Sequence, residues 1–258
     1  MSSLCLNLSF GSYFAAMVLY AGGLFFAKKI LPASARFFMI LGIASLSCYI
    51  VMRWQIAGRP PFSNMFESLV VLSWAIAITS VFIDIKYKVK NIAVLTALMS
   101  LLAIGYASLL DKEITPLLPA LKSNWLTIHV LTCFIGYAAL TVAFVSSAVL
   151  LCKKNNDKNL DAISYKMIAF GFLFLALGII TGAVWANSAW GTYWSWDPKE
   201  TWSLITWFVY AAYLHARVTR GWRGKKAAYV AIFGFLSTVF LYWGVSFVLP
   251  GLHAYATR

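Results

Sequence analysis

The chain has 258 residues, 62% of them apolar and 11% charged, with 21 Lys and Arg against 8 Asp and Glu. Several apolar runs of eighteen residues or more with almost no charge exclude a soluble domain, and about eight spans of roughly 20 residues use up the length, leaving no loop long enough to fold separately. The net charge of +13 does not point to nucleic acid, because the basic residues are dispersed over short loops, which is how membrane topology is encoded.

The hydropathy pattern predicts helices at about 9–27, 36–56, 67–85, 92–110, 126–152, 164–186, 200–217 and 226–248. The expected fold is all-α: a polytopic membrane bundle of about eight transmembrane helices. No repeat or low-complexity linker divides the chain, so it reads as one domain over 1–258. No basic stretch precedes the first apolar run, which therefore reads as a permanent helix rather than a cleaved signal. With the N-terminus outside, 15 of the 21 Lys and Arg fall in inner loops. The outer side keeps Arg53, Arg59, Lys112, Lys122, Lys199 and Arg258, and the positive-inside rule then puts both termini outside.

Two outer segments have a character of their own. Paired prolines at Pro60 and Pro61 stop the preceding helix and fix an extended piece, which predicts a rigid rim. Residues 111–125, with two prolines and an amphipathic pattern, are expected to lie in the interface rather than cross it. The four cysteines, Cys5, Cys48, Cys133 and Cys152, form no CxxC or CxxCH, so thioredoxin-like exchange and self-attachment of c-type haem are both unsupported.

Residues 185–207 hold six of the eleven Trp, with an external tryptophan-rich loop expected at about 185–202. One or two interfacial Trp would be anchors. Trp190, Tyr193, Trp194 and Trp196 fall within seven residues around Gly191, more than anchoring needs. A flat macrocycle stacked on several rings would account for them. The following Asp197-Pro198-Lys199-Glu200 is a helix start, with Asp197 as N-cap and Glu200 closing a capping box, and capping does not exclude a second role for Asp197.

The chain has three histidines. His129 and His253 are placed at outer helix ends flanking the aromatic loop. A lone His is ordinarily a hydrogen-bonded polar residue, but imidazole is also the commonest protein ligand of haem iron, and two on opposite faces would make a bis-His site. His215 lies fifteen residues past Glu200, about 22 Å inward at 1.5 Å per residue, where an ionisable group is a functional candidate by default. No second His stands at its depth, so a haem there would take its other ligand from a partner subunit.

The run WGTYWSWDPKETW, with WANSA before it and LITWFVYAAYLHAR after it, resembles the tryptophan-rich signature of the cytochrome c assembly family. The resemblance is closer to the CcsA/ResC-type subunit of the system II cytochrome c synthase. RPPFSNMFESL, LTIHVLTCFIGYAAL and GLHAYA extend it over most of 53–256. It implies that His129 and His253 ligate haem b at an external site. It further implies that His215 serves an intramembrane haem whose other ligand comes from a ResB/CcsB-like partner. Trp190, Trp194, Trp196 and Asp197, with Tyr193 and Trp202 in the same run, would form the loop that holds the external haem.

The implied activity is a haem lyase type, exercised as part of a complex. Haem crosses the membrane and is presented to the CxxCH thiols of apocytochrome c for thioether formation, with a separate thiol-redox partner. The implied setting is the lipid of a bacterial cytoplasmic or thylakoid membrane, with the active face on the extracytoplasmic side. The alternative is a haem exporter or chaperone that only delivers. A two-haem cytochrome b type would need two histidine pairs, and a solute transporter would show broken or repeated helices. Arg59, Lys122 and Lys199 stand on the outer side either to meet haem propionates or as ordinary surface charges.

Overall fold

The computed structural model describes residues 2–26, 28–114, 116–117 and 121–251, and every regular element among them is helical. The chain divides into two compact units, Met1–Pro116 and Leu117–Arg258. The first holds α1 (Ser2–Phe25), α2 (Ile30–Ala57), α3 (Met65–Tyr87) and α4 (Lys90–Ser108). Here α1 packs on α2 and α4, and α3 packs on the same two helices, closing a ring of four. The second holds α5 (Asn124–Cys152), α6 (Lys158–Trp190), α7 (Pro198–Thr219) and α8 (Lys225–Val248). It closes a similar ring, with α5 against α6 and α8, and α7 against α6 and α8.

Local chemistry sets the ends. Asn64 caps α3 by accepting the Glu67 N–H at 2.8 Å. Gly58 ends α2 and Gly191 ends α6 at positive φ, 65° and 79°. Asp157 caps α6, and the Lys153 ammonium bonded to it holds its carboxyl below the usual carboxylate range. Helix α8 passes through a π-turn at Phe240–Gly244 before its last turn, Val245–Val248.

Seven of these helices are long and apolar enough to cross a membrane by length and composition. The eighth expected helix, α7, is present but less apolar than the other seven, with Lys199, Glu200, His215 and Arg217 among its residues. Several boundaries also differ from the hydropathy pattern, for α2 begins at Ile30 rather than near 36 and α6 at Lys158 rather than near 164. Helix α1 begins at Ser2 rather than near 9, and α6 runs on to Trp190. The α6 extension, Asn187–Trp190, is a largely polar turn with little hydropathy signal, whereas the α1 extension mixes Ser2, Ser3 and Asn7 with Leu4, Leu6 and Leu8.

Between helices in lipid there is little hydrophobic drive, so close packing and polar ties hold the units together. In the first unit Glu67, fully buried, bonds Arg53 and Arg59 at 2.9 Å each and accepts the Ser63 N–H and hydroxyl at 2.9 Å. Arg53 also donates to the carbonyls of Lys112 and Glu113 at 2.9 and 3.2 Å, which anchors the irregular backbone of 111–114. The opposite end is tied by Asp84, which accepts from Arg36 at 2.8 Å and Tyr20 at 3.0 Å. In the second unit Asp161 binds Arg217 and accepts the Gly224 N–H at 2.8 Å, joining α6, α7 and the start of α8. Its apolar core is built on Leu140, Ile168, Leu175, Tyr210 and Tyr213.

Candidate functional site

His129 lies in the second turn of α5, where that helix meets α6. Two glycines one turn apart on α6 make the approach possible. A Cβ on Gly182 would stand 2.7 Å from His129 Nδ1, and one on Gly178 would stand 2.6 Å from Cys133 Sγ. His129 and Cys133, themselves one turn apart, are therefore seated in a groove that only glycine leaves open. At the bottom of the groove His129 Nδ1 meets the Gly178 carbonyl at 2.7 Å. A carbonyl oxygen only accepts, so Nδ1 carries a proton, and in the neutral ring Nε2 is then the nitrogen with the lone pair. Trp185, buried, lies nearly parallel to the imidazole, with centroids 6.2 Å apart and planes at 11°. The ring is thus fixed in tautomer and in orientation.

The aromatic stretch is divided by the end of α6. Trp185 and Trp190 are helical and meet edge to face at 4.7 Å, while Trp202 belongs to α7 and packs on Phe240 of the π-turn at 4.4 Å. The loop proper is 191–197. Within it Tyr193 and Trp196 are 60% and 69% exposed, and Trp194 is half-buried and meets Trp196 at 5.7 Å and 89°. Trp196 has φ +61°. A residue with a Cβ pays about 1–2 kcal/mol for that conformation.

The capping box expected at 197–200 is present. Asp197 Oδ1 accepts the Lys199 N–H at 2.9 Å, and Glu200 Oε2 accepts the Asp197 N–H at 3.2 Å. Glu200 Oε2 also takes the Ser195 N–H at 2.7 Å, and the Thr201 hydroxyl donates to the Trp196 carbonyl at 3.3 Å. The loop is pinned on both sides of Trp196. Asp197 Oδ2 faces the chain leaving α8, for a Cβ on Gly251 would stand 2.6 Å from it. His253, two residues further on, lies outside the described residues.

The structure therefore brings His129, Trp185, Trp190 and the capped loop into one region of the second unit. His215 stands apart from it, on the exposed face of α7 with Phe208 and Ala212. Of the three outer basic residues, Lys199 is the one that acts electrostatically on the His129 ring and on Cys133. Lys122 is exposed, and Arg59 is buried in the first unit and engaged with Glu67. Sequence reasoning missed Gly178 and Gly182, although GIITG is a small-xxx-small pattern that marks a close helix approach. It also assigned Glu200 to capping alone.

The profile of one family, Cytochrome C assembly protein, matches residues 62–253 of this all-helical bundle, a stretch that holds His129 and the capped, tryptophan-rich loop. The chain belongs to this family. Within it the chain falls among the CcsA proteins. It is 38% identical to cytochrome c biogenesis protein CcsA of Prochlorococcus marinus (strain NATL2A), over 86% of this chain and 85% of the relative. Identity to the CcsA of Chlamydomonas reinhardtii is 43%, over 84% and 67%. Identity to that of Guillardia theta is 38%, over 96% and 94%. The fold is shared with a solved structure, cytochrome c heme lyase CcmF, at TM-score 0.72 and 15% identity, over 93% of this chain and 46% of that one.

Proposed function

We propose that this chain is the haem-handling subunit of a cytochrome c synthase. It takes haem from the inner side at His215, passes it outward, and holds it between His129 and His253 under the tryptophan-rich loop. One observation carries this: His129 donates Nδ1–H to the Gly178 carbonyl at 2.7 Å, leaving Nε2 as the ligating nitrogen. A second hydrogen bond of this kind is what fixes the tautomer and ring orientation of a metal-binding histidine. The tail that leads to His253 starts against Asp197 at Gly251, which supports the same pairing.

The substrate is haem b, and the second substrate is the CxxCH segment of an apocytochrome c. Each cysteine thiol adds across a haem vinyl group; the S–C bond forms and the thiol proton goes to the other vinyl carbon. The chain's contribution is proximity and orientation. Exposed Tyr193 and Trp196 offer ring surface, and His129 holds the iron until a substrate histidine displaces one ligand. Lys199, beside His129, supplies positive charge for a propionate. Reducing equivalents and reduced substrate thiols come from a thiol-redox partner. The exposed His215 is presented to a ResB/CcsB-like subunit that completes its ligand set. The complex sits in a bacterial cytoplasmic or thylakoid membrane with this site on the extracytoplasmic side. In a second reading the chain only exports haem and the partner complex performs the ligation.

Copurification with the ResB/CcsB-like partner is expected to give a bis-His haem spectrum. His129→Ala and His253→Ala should each lose it and regain it with free imidazole, and His215→Ala should reduce the haem that reaches the outer site. Unchanged haem in both outer variants would sink the ligand assignment. Thioether formation reconstituted from this chain, partner, haem and apocytochrome, against haem transfer alone, separates the two readings.

A further inference from the structure

We propose that Glu200 is the positioning residue of the aromatic face: its carboxylate holds Trp196 in the left-handed conformation that turns the indole outward to the haem. The inference rests on the reading that this loop contacts haem. A capping box asks Glu200 for one bond, to the N–H of the cap residue. That bond is present at 3.2 Å, but the shorter one, 2.7 Å, goes to Ser195 N–H, outside the box. A single oxygen, Oε2, therefore gathers the N–H groups on either side of Trp196. The Thr201 hydroxyl meanwhile holds the Trp196 carbonyl at 3.3 Å.

Such over-determination is what a strained φ requires to persist. Glycine would adopt φ +61° without strain, so a tryptophan at this place is retained for its ring. Trp196 is 69% exposed and its edge-to-face contact with Trp194 leaves most of it uncovered, so packing within the unit explains little of it. What an outward, flat apolar surface on the loop that follows Trp190 can do is stack on a planar ligand held at His129.

The test uses the complex with its ResB/CcsB-like partner, labelled with 5-fluorotryptophan. The Trp196 resonance is assigned by its loss in Trp196→Phe. Glu200→Ala should shift or broaden that resonance and lower haem retention at the outer site by about 10-fold, the lower end of what outer-shell partners contribute. Glu200→Gln, whose amide oxygen still accepts, should keep both near wild type. In a Trp196→Ala background, Glu200→Ala should cost nothing further. An unmoved resonance in Glu200→Ala overturns the proposal, as does an equal loss of haem in both backgrounds. A wild-type complex without bis-His haem would overturn the proposed function alone, because the fluorine resonance would still decide whether Glu200 holds Trp196.

Discussion

Gly182 shows how much of the site rests on an atom that is missing. Its absent Cβ is the space in which the His129 imidazole lies, 2.7 Å from Nδ1 and 2.8 Å from Cε1. Gly182→Ala favours the helix itself by about 1 kcal/mol, yet it must push the ring off the Gly178 carbonyl. Haem retention should fall about 10–100-fold, the range for loss of an outer-shell partner, with thermal stability close to wild type. Gly178→Ala presses on Cys133 Sγ rather than on the imidazole, so it should do less. Haem per protein and the melting temperature, measured together, check this; normal haem in Gly182→Ala would show that the ring has room to move. The histidines and tryptophans were legible in the sequence because each has its own chemistry. Gly178 and Gly182 were not, since their role exists only once α5 lies against α6.

At the level of the helix, the bodies and one start were legible. The capping box at 197–200 follows from side chains that can do little else, and it is there. The hydropathy pattern placed eight helices and all eight are present; α7, rich in Trp, Tyr, Thr and charged residues, is the one outside the seven that are apolar enough to cross by composition. Gly191 looked like part of a loop and is the left-handed cap that ends α6, so Trp190 belongs to the helix. The pairing of Glu67 with Arg53 and Arg59 was equally hidden, since the partners stand fourteen and eight residues away and meet only through the turn at 58–64. Because all three are buried, Glu67→Ala leaves two guanidiniums without their carboxylate and should cost about 3–5 kcal/mol. Thermal unfolding in detergent reads the loss, and protease should cut the 58–64 turn faster. A melting temperature within a degree of wild type would mean that the carbonyls of Lys112 and Glu113 suffice for Arg53.

Across the whole chain, the division of labour depends on which ends of the helices face which side of the membrane. The basic residues near the α5–α6 and α7–α8 turns, Lys153, Lys154 and Lys158 with Arg220, Arg223, Lys225 and Lys226, lie at the ends opposite the aromatic loop. In the proposed orientation, which follows the positive-inside rule, those turns are on the inner side and the loop is outside. The chain contains its own reporter, because Cys152, the last residue of α5, is exposed. With Cys5, Cys48 and Cys133 replaced by Ser, an impermeant maleimide should leave Cys152 unlabelled in intact cells and label it in inverted vesicles. Adding Tyr193→Cys in a chain that also carries Cys152→Ser should give the reverse pattern, since Tyr193 is exposed in the loop. Labelling of both positions from one side would put the loop and the α5–α6 turn together, and would remove the outward path from His215 to His129.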